Sequence, residues 1–197
     1  MSNFLRPTYI AGRVEVLEPA AAHSTGVEAV AFDVDGTLSS YHAEQVEPSV
    51  VRMLRDLGDS GLKTVIISNA YGRRVDRLND IYGDLVNGGV FTPASLLTRG
   101  YDDPRKHRKP SPDMIVEAGR RLGVDTGDIL MVGDQMFKDV ASANRAGAKS
   151  LLVPRRGEGD YWAVRAFQRP AESIIRVVMD LPDEFPETLE LADGYEQ

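Results

Sequence analysis

The stretch EAVAFDVDGTL, residues 28–38, carries the clearest signal of the fold. Residues 28–34 form a short and mostly apolar run, which is typical of a strand buried on both faces. This run leads into two carboxylates, Asp33 and Asp35, and an Asp-Gly turn. In an open parallel sheet, ligands bind beyond the carboxyl ends of the strands. The stretch therefore predicts a buried strand that ends in a binding or catalytic site.

Similar apolar runs and helical patterns alternate along the rest of the chain. Three further strands are predicted, at residues 62–68, 129–132 and 149–153. Four helices are predicted between and after them, at residues 48–59, 72–82, 111–123 and 139–146. This alternation indicates the α/β class: a three-layer, doubly wound sandwich around a mostly parallel central sheet.

Spacing predicts one domain, residues 1–179, without a separate cap domain. The gaps between residues 38 and 62 and between 69 and 109 each leave room for only a helix and a loop. Residues 83–109 are rich in Gly and Pro, so they predict a long loop with at most one short strand. Two more helices are expected at 161–167 and 171–179. Residues 180–197 carry seven acids and no base, which predicts a flexible acidic tail.

Composition excludes several classes of protein. The absence of cysteine rules out disulfides, thiolate zinc sites and a catalytic thiol. No apolar stretch approaches the ~20 residues of a membrane span, and no secretory signal is apparent, so we expect a cytoplasmic location with at most peripheral membrane contact. The net charge of −7 argues against nucleic acid as a partner. However, the tail accounts for all of it, because the remaining 23 acids equal the 23 bases.

Polar residues also follow the other predicted strands or precede a predicted helix. Ser68 and Asn69 end the second strand, where a hydroxyl and main-chain N–H groups can bind phosphate oxygens. Lys109 closes the basic run 105–109, just before a Ser-Pro helix start. Asp134 follows the third strand, with Asp139 five residues on. Each signal alone is also met in ordinary turns, helix caps and solvated loops, but four in order indicate one constellation.

The neighbouring carboxylates Asp33 and Asp35 repel each other unless a cation lies between them. Hard oxygen ligands favour Mg²⁺ over softer metals. The sequence therefore predicts a magnesium site at these two carboxylates.

The ordered set Asp33–Leu38, Ser68-Asn69, Lys109-Pro110 and Gly133-Asp134 with Asp139 resembles the four motifs of the haloacid dehalogenase-like phosphatases. Residues 132–147 and the opening Phe4–Pro7 are similar to subfamily IIIA of the YqeG type, which includes phosphatidylglycerophosphate phosphatases. Gly36 and Ala70 stand where that type commonly has asparagine, so the lipid substrate stays open.

The resemblance implies a Rossmann-like core and a role for each motif residue. Asp33 is expected to be the nucleophile that forms an aspartyl-phosphate, and Asp35 the general acid and base. Mg²⁺ is expected to be held by Asp33, by the main-chain carbonyl of Asp35 and by Asp134. The remaining expected roles are phosphate binding by Ser68, Asn69 and Lys109, and orientation of Lys109 or of a metal-bound water by Asp139.

Taken together, we expect a Mg²⁺-dependent phosphomonoester hydrolase with an open site. Its substrate is expected to be phosphatidylglycerophosphate or a similar bulky phosphate, as a lipid headgroup or a phosphorylated small molecule. A soluble sugar or nucleotide phosphate is the first alternative. The second is a non-catalytic binding protein that uses the acidic tail or the basic loop.

Overall fold

The structure, a computed structural model, describes residues 4–41, 43, 45–98, 100–157, 181, 182 and 184–192. The helices predicted at 161–167 and 171–179 lie outside these residues. The described part forms a seven-stranded sheet in the order β4-β3-β2-β5-β6-β1-β7, in which only the β1–β7 pair is antiparallel. The strands are β1 Tyr9–Ile10, β2 Ala29–Phe32, β3 Lys63–Ile67, β4 Val90–Phe91, β5 Ile129–Gly133, β6 Lys149–Leu152 and β7 Glu190–Leu191. The predicted α/β class with a mostly parallel sheet is confirmed.

Helices cover both faces of this sheet. They are α1 Pro19–Ser24, α2 Pro48–Asp59, α3 Arg73–Tyr82, α4 Pro93–Leu97, α5 Asp113–Leu122 and α6 Ala141–Ala146. Proline opens α1, α2 and α4, where its missing N–H costs no helical hydrogen bond. A π-helical turn, Met136–Val140, precedes α6. None of the described helices is long and apolar enough to cross a membrane.

The central strand β2 shows why the fold has three layers. Its side chains are all buried, and they alternate between two cores as a pleated strand requires. Val30 and Phe32 belong to one core with apolar residues of α2 and α3. Ala29 and Ala31 belong to the other core, with residues of α4, α5 and α6. Burying a side chain such as Phe32 contributes ~1.5–3 kcal/mol, so both helix layers are tied strongly to the sheet.

Residues 83–109 are more ordered than the glycines and prolines suggest. They contain the short strand β4, as allowed by the prediction, but also helix α4 and a 3₁₀ helix, Pro104–His107. Phe91 and Leu96 explain the difference, because both side chains are fully buried in the core beside α5. Two-residue strands and five-residue helices are too short to show a hydrophobic period.

The acidic segment also differs from the expected flexible tail. Within its described residues, β7 pairs with β1 at the edge of the sheet, and the Ala192 N–H donates to the Thr8 carbonyl at 3.0 Å. Leu181 and Ala192 are buried in a small core with Ile10 and Leu152. A few apolar anchors therefore hold this segment against the sheet, although its described acids, Glu184, Glu187 and Glu190, are exposed.

Strand order places a site at one edge of the sheet. From β2, the chain proceeds outward through β3 to β4, whereas β5 and β6 lie on the other side of β2. The order therefore reverses between β2 and β5, and such a switch point opens a crevice at the carboxyl ends of the strands. Phe32 is paired with both Ile66 and Val132, so the ends of β2, β3 and β5 lie level.

Candidate active site

Three polar side chains emerge at the switch point directly after three neighbouring strands. Asp33 follows β2, Ser68 follows β3 and Asp134 follows β5, and all three are buried. Asp33 and Ser68 line one cavity of about 290 Å³. The structure thus brings together residues that are distant in sequence, because the registers of the parallel strands align their ends.

Lys109 enters this group from the segment before α5. Its Nζ donates three hydrogen bonds: to Asp33 Oδ1 at 2.5 Å, to Asp139 Oδ1 at 2.7 Å and to the Ile67 carbonyl at 2.9 Å. All three N–H donors of the ammonium group therefore have partners, which a buried lysine requires. Lys109 links the predicted nucleophile to Asp139, and contact between Asp139 and Lys109 is among the expected arrangements.

Asn69 fixes the main chain of Lys109. The Lys109 N–H donates to Asn69 Oδ1 at 2.8 Å, and Asn69 Nδ2 donates to the Lys109 carbonyl at 3.1 Å. The peptide bond that follows, Lys109–Pro110, is cis. Asn69 lines the cavity, but its side-chain amide is engaged with Lys109, a contact that the sequence does not reveal. Phosphate binding by Asn69 stays a prediction.

Three buried carboxylates form a cluster suited to a metal ion. Asp33, Asp134 and Asp139 each offer an oxygen, and these three atoms all lie within 4.8 Å of one another. A donor set made of carboxylate oxygens fits a hard divalent cation such as Mg²⁺. Asp139 belongs to this cluster, although the sequence predicts for it only a supporting role. The Asp35 side chain does not belong to it, which agrees with the expectation that Asp35 would bind the metal through its main-chain carbonyl.

The charges in the cluster also favour a bound cation. Burial raises the pKa of Asp33 to about 8, and the nearby Asp139 and Asp134 add to this rise while Lys109 opposes it. Burial lowers the pKa of Lys109, but attraction to Asp139 and Asp33 outweighs burial, and its pKa lies above the usual value. One lysine therefore does not balance three buried acids, and a divalent cation would remove the excess negative charge.

Asp35 is not part of this cluster, but it lines the same cavity. Its Oδ1 accepts a hydrogen bond from Arg74 Nη2, and the two partly buried side chains form an ion pair. The guanidinium of Arg74 also lies over the ring of Tyr41, 5.6 Å from its centroid. Sequence reasoning missed Arg74, although its place in the first turn of α3, just after the end of β3, is a detectable signal.

Two glycines allow the carboxylates to pack this closely. Gly36 has φ +89°, and a Cβ there would lie 2.8 Å from Asp134 Oδ2. A Cβ on Gly133 would lie 2.3 Å from Cγ of Asp139. A side chain at either position would therefore displace Asp134 or Asp139.

The basic run 105–109 contributes less positive charge to the cavity than its sequence suggests. Arg105 pairs with Asp103 at 3.0 Å, and Lys106 pairs with Asp102 at 2.6 Å. His107 lies between Asp102 and Asp113. Only the last two residues of the run, Arg108 and Lys109, line the cavity. The other cations lining it are Arg74, Lys138 and Arg155, which the sequence did not single out.

Known proteins resemble this chain in sequence. A family model described as HAD-hydrolase-like matches residues 106–181. The probable phosphatase YqeG of Bacillus subtilis is 24% identical over 87% of this chain and 90% of its own length. The D-glycero-beta-D-manno-heptose-1,7-bisphosphate 7-phosphatase of Haemophilus ducreyi is 27% identical over 79% of this chain and 97% of its own length.

Solved structures share the fold. A HAD phosphatase from Thermococcus onnurineus superposes with a TM-score of 0.53 at 20% identity, over 68% of this chain and 90% of its own. NagD from Escherichia coli gives a TM-score of 0.53 at 14% identity, over 72% of this chain and 92% of its own. At these low identities, the superpositions show a shared fold, that is, the same sheet with its helix layers.

Proposed function

We propose that this chain, which belongs to the haloacid dehalogenase-like hydrolases and is a phosphatase of that family, is a Mg²⁺-dependent phosphomonoesterase with an aspartyl-phosphate intermediate. The observation that carries the proposal is the contact of buried Asp33 with Lys109, inside a cluster of three carboxylates. A carboxylate so placed is a nucleophile beside cations that attract a phosphate dianion.

In the first step, an oxygen of Asp33 attacks phosphorus, and the bond from phosphorus to the ester oxygen breaks. Asp35 donates a proton to the leaving oxygen, for which its place in the cavity lining is suitable. In the second step, Asp35 takes a proton from water while the water oxygen bonds to phosphorus, and the bond to Asp33 breaks. The products are an alcohol and inorganic phosphate, and both aspartates are regenerated.

The other residues hold charge and position. Ser68 and Lys109 both line the cavity and are buried like Asp33. Ser68 is placed to donate a hydrogen bond to a phosphoryl oxygen, and Lys109 would exchange its bond to Asp33 for one to a phosphoryl oxygen when the phosphate binds. Asn69 and Asp139 keep Lys109 in place through its main chain and its ammonium group. Asp33, Asp134 and Asp139 would hold the metal together with the Asp35 carbonyl. When bound, Mg²⁺ would supply positive charge that offsets the repulsion between phosphate and carboxylates.

Two substrate classes fit the open cavity. No separate cap covers it within the described residues, so a bulky or membrane-presented phosphate has access. The YqeG-type resemblance favours phosphatidylglycerophosphate. Relatives named for a heptose bisphosphate and for dihydroxyacetone phosphate favour small soluble esters. Turnover of a panel with both kinds would decide, and activity on small soluble esters alone would exclude the lipid.

The chemical step is tested with an aryl phosphate, comparing the wild type with Asp33→Asn, in Mg²⁺ and after chelation. We expect activity only in the wild type with Mg²⁺. Asp56→Asn is the matched control, because Asp56 is exposed on α2 and does not line this cavity. Circular dichroism establishes that each variant is folded. Equal activity of folded Asp33→Asn, or none in the wild type, would contradict the proposal and favour a non-catalytic binding protein.

A further inference from the structure

His107 lies between two carboxylates, two residues before Lys109. Its Nδ1 lies 2.6 Å from Asp113 Oδ2, and its Nε2 lies 3.0 Å from Asp102 Oδ1. Asp102 precedes the 3₁₀ helix, whereas Asp113 is the first residue of α5. The imidazole side chain is only 13% exposed, although Asp102 itself lies at the surface. The proposed reaction does not use this histidine.

Both contacts require a hydrogen on the ring. An ionised carboxylate can only accept hydrogen bonds, and a neutral imidazole has one N–H donor, whereas the imidazolium has two. In the neutral ring, one nitrogen would turn a lone pair toward a carboxylate oxygen at 3.0 Å or less. The geometry therefore belongs to the protonated ring. The pKa of His107 is accordingly raised, with the hydrogen bond to Asp113 as the largest cause.

The surroundings of the ring supply no other cation that could take over this bridge. The two bases just before it are already paired, Lys106 with Asp102 and Arg105 with Asp103. Helix α4 packs against the 3₁₀ helix and contains no titratable side chain. Helix α5 presents the carboxylate of its first residue to the ring, and the ring of Tyr101 meets the imidazole edge-on at 4.9 Å.

The bridge between His107 and Asp113 closes a short segment that contains Lys109. Within this segment, the Ser111 N–H donates to the Arg108 carbonyl at 2.7 Å, and Ser111 Oγ donates to Asp113 Oδ2 at 2.6 Å. One carboxylate thus ties the chain on both sides of the lysine.

Lys109 depends on this segment, because its ammonium reaches Asp33 and Asp139 from there. We infer that protonated His107 is a positioning residue: by joining the 3₁₀ helix to α5, it fixes the main chain from which Lys109 enters the active site. Loss of the ring proton breaks one of the two contacts and loosens that main chain. The inference rests on the proposed function only for the part that Lys109 plays in phosphate binding.

NMR tests the inference without any substrate. We expect both ring nitrogens of His107 to carry hydrogens at pH 7. In His107→Gln, the main-chain N–H of Lys109 should exchange with solvent ~10-fold faster or more, the equivalent of one hydrogen bond to a charged group. The N–H of Leu130 in β5 reports unfolding of the sheet. A neutral ring at pH 7, or equal acceleration of exchange at Lys109 and Leu130, would overturn the inference, because the histidine would then only add general stability.

The effect on catalysis is measured as kcat for an aryl phosphate with saturating Mg²⁺ from pH 6 to pH 9. The kcat of the wild type should fall as the ring loses its proton. His107→Gln should lack this fall and be ~10- to 100-fold slower at pH 6, the scale of a displacement of about 1 Å at a reacting centre. Asp113→Asn should move the fall to lower pH, because it removes the largest cause of the raised pKa of His107.

His23→Gln is the matched control, because His23 is exposed on α1 and does not line the active-site cavity. It should keep the pH profile of the wild type. A fall that persists unchanged in folded His107→Gln would refute the positioning role. If the wild type hydrolyses no phosphate ester, the proposed function fails, and the exchange of the Lys109 N–H still decides whether His107 positions this lysine.

Discussion

Replacing Asn69 with alanine tests how the site is held together. The side chain makes two hydrogen bonds with the N–H and carbonyl of Lys109, at 2.8 and 3.1 Å. Asn69→Ala leaves both main-chain groups without these partners beside a buried lysine. Each of the two groups left unsatisfied costs ~1–3 kcal/mol, so we expect a loss of at least ~2 kcal/mol in the free energy of unfolding. A domain of ordinary stability stays folded after such a loss.

Activity should fall as well, because the position of the Lys109 ammonium depends on its main chain. A displacement of about 1 Å at a reacting centre can cost ~100-fold in rate. Urea denaturation measures the stability, and aryl phosphate turnover measures kcat. Asn79→Ala is the control: Asn79 donates one exposed hydrogen bond to Val75 within α3, so its loss should change stability by ~0.5 kcal/mol or less. Similar small changes in both variants would refute the reasoning.

Three further changes address other parts of the site. Gly133→Ala should destabilise the protein by ~1–3 kcal/mol and abolish most activity, because the new Cβ would collide with Asp139. A melting temperature and a turnover rate that both match the wild type would contradict this prediction. Added Mg²⁺ should raise the melting temperature of the wild type, by the equivalent of ~2.7 kcal/mol when the Mg²⁺ concentration is one hundred times the Kd. The rise should be clearly smaller in Asp134→Asn, and an equal rise would argue against the carboxylate cluster as the binding site. The pKa of His107 is raised by its hydrogen bond to Asp113, so its stabilisation is complete below about pH 6.5 and is lost as pH rises through the higher folded-state value. His107→Gln should thus lower stability in urea more at pH 6 than at pH 9, and an equal effect at the two pH values would show that this charge is unimportant.

The fold and the meeting of the motif residues are the most predictable parts of this protein. Ala29–Phe32 is apolar, buried on both faces and followed by carboxylates, so a single stretch identifies a central strand and its functional end. Once the strands are parallel, the level pairing of Phe32 with Ile66 and Val132 brings Asp33 and Asp134 together. Short-range sequence signals suffice here because each strand ends where its buried apolar run ends.

Side-chain partners were much less predictable. The engagement of Asn69 with Lys109 and the ion pair of Arg74 with Asp35 depend on the angle at which loops and helices leave the sheet. No residue spacing encodes those angles. The basic run was misleading for a related reason, since the acids that neutralise Arg105 and Lys106 lie in the preceding turn and become partners only when the 3₁₀ helix forms.

The pairing of β1 with β7 also has a consequence for how the protein forms. Tyr9 lies beside Leu191, so this edge joins parts of the chain that are far apart in sequence. Contacts of this kind form slowly because a long loop must close first. Until then, β1 would present an open strand edge to other molecules. We therefore expect the acidic segment to pair late in folding, and its pairing then covers the open edge of β1 with β7.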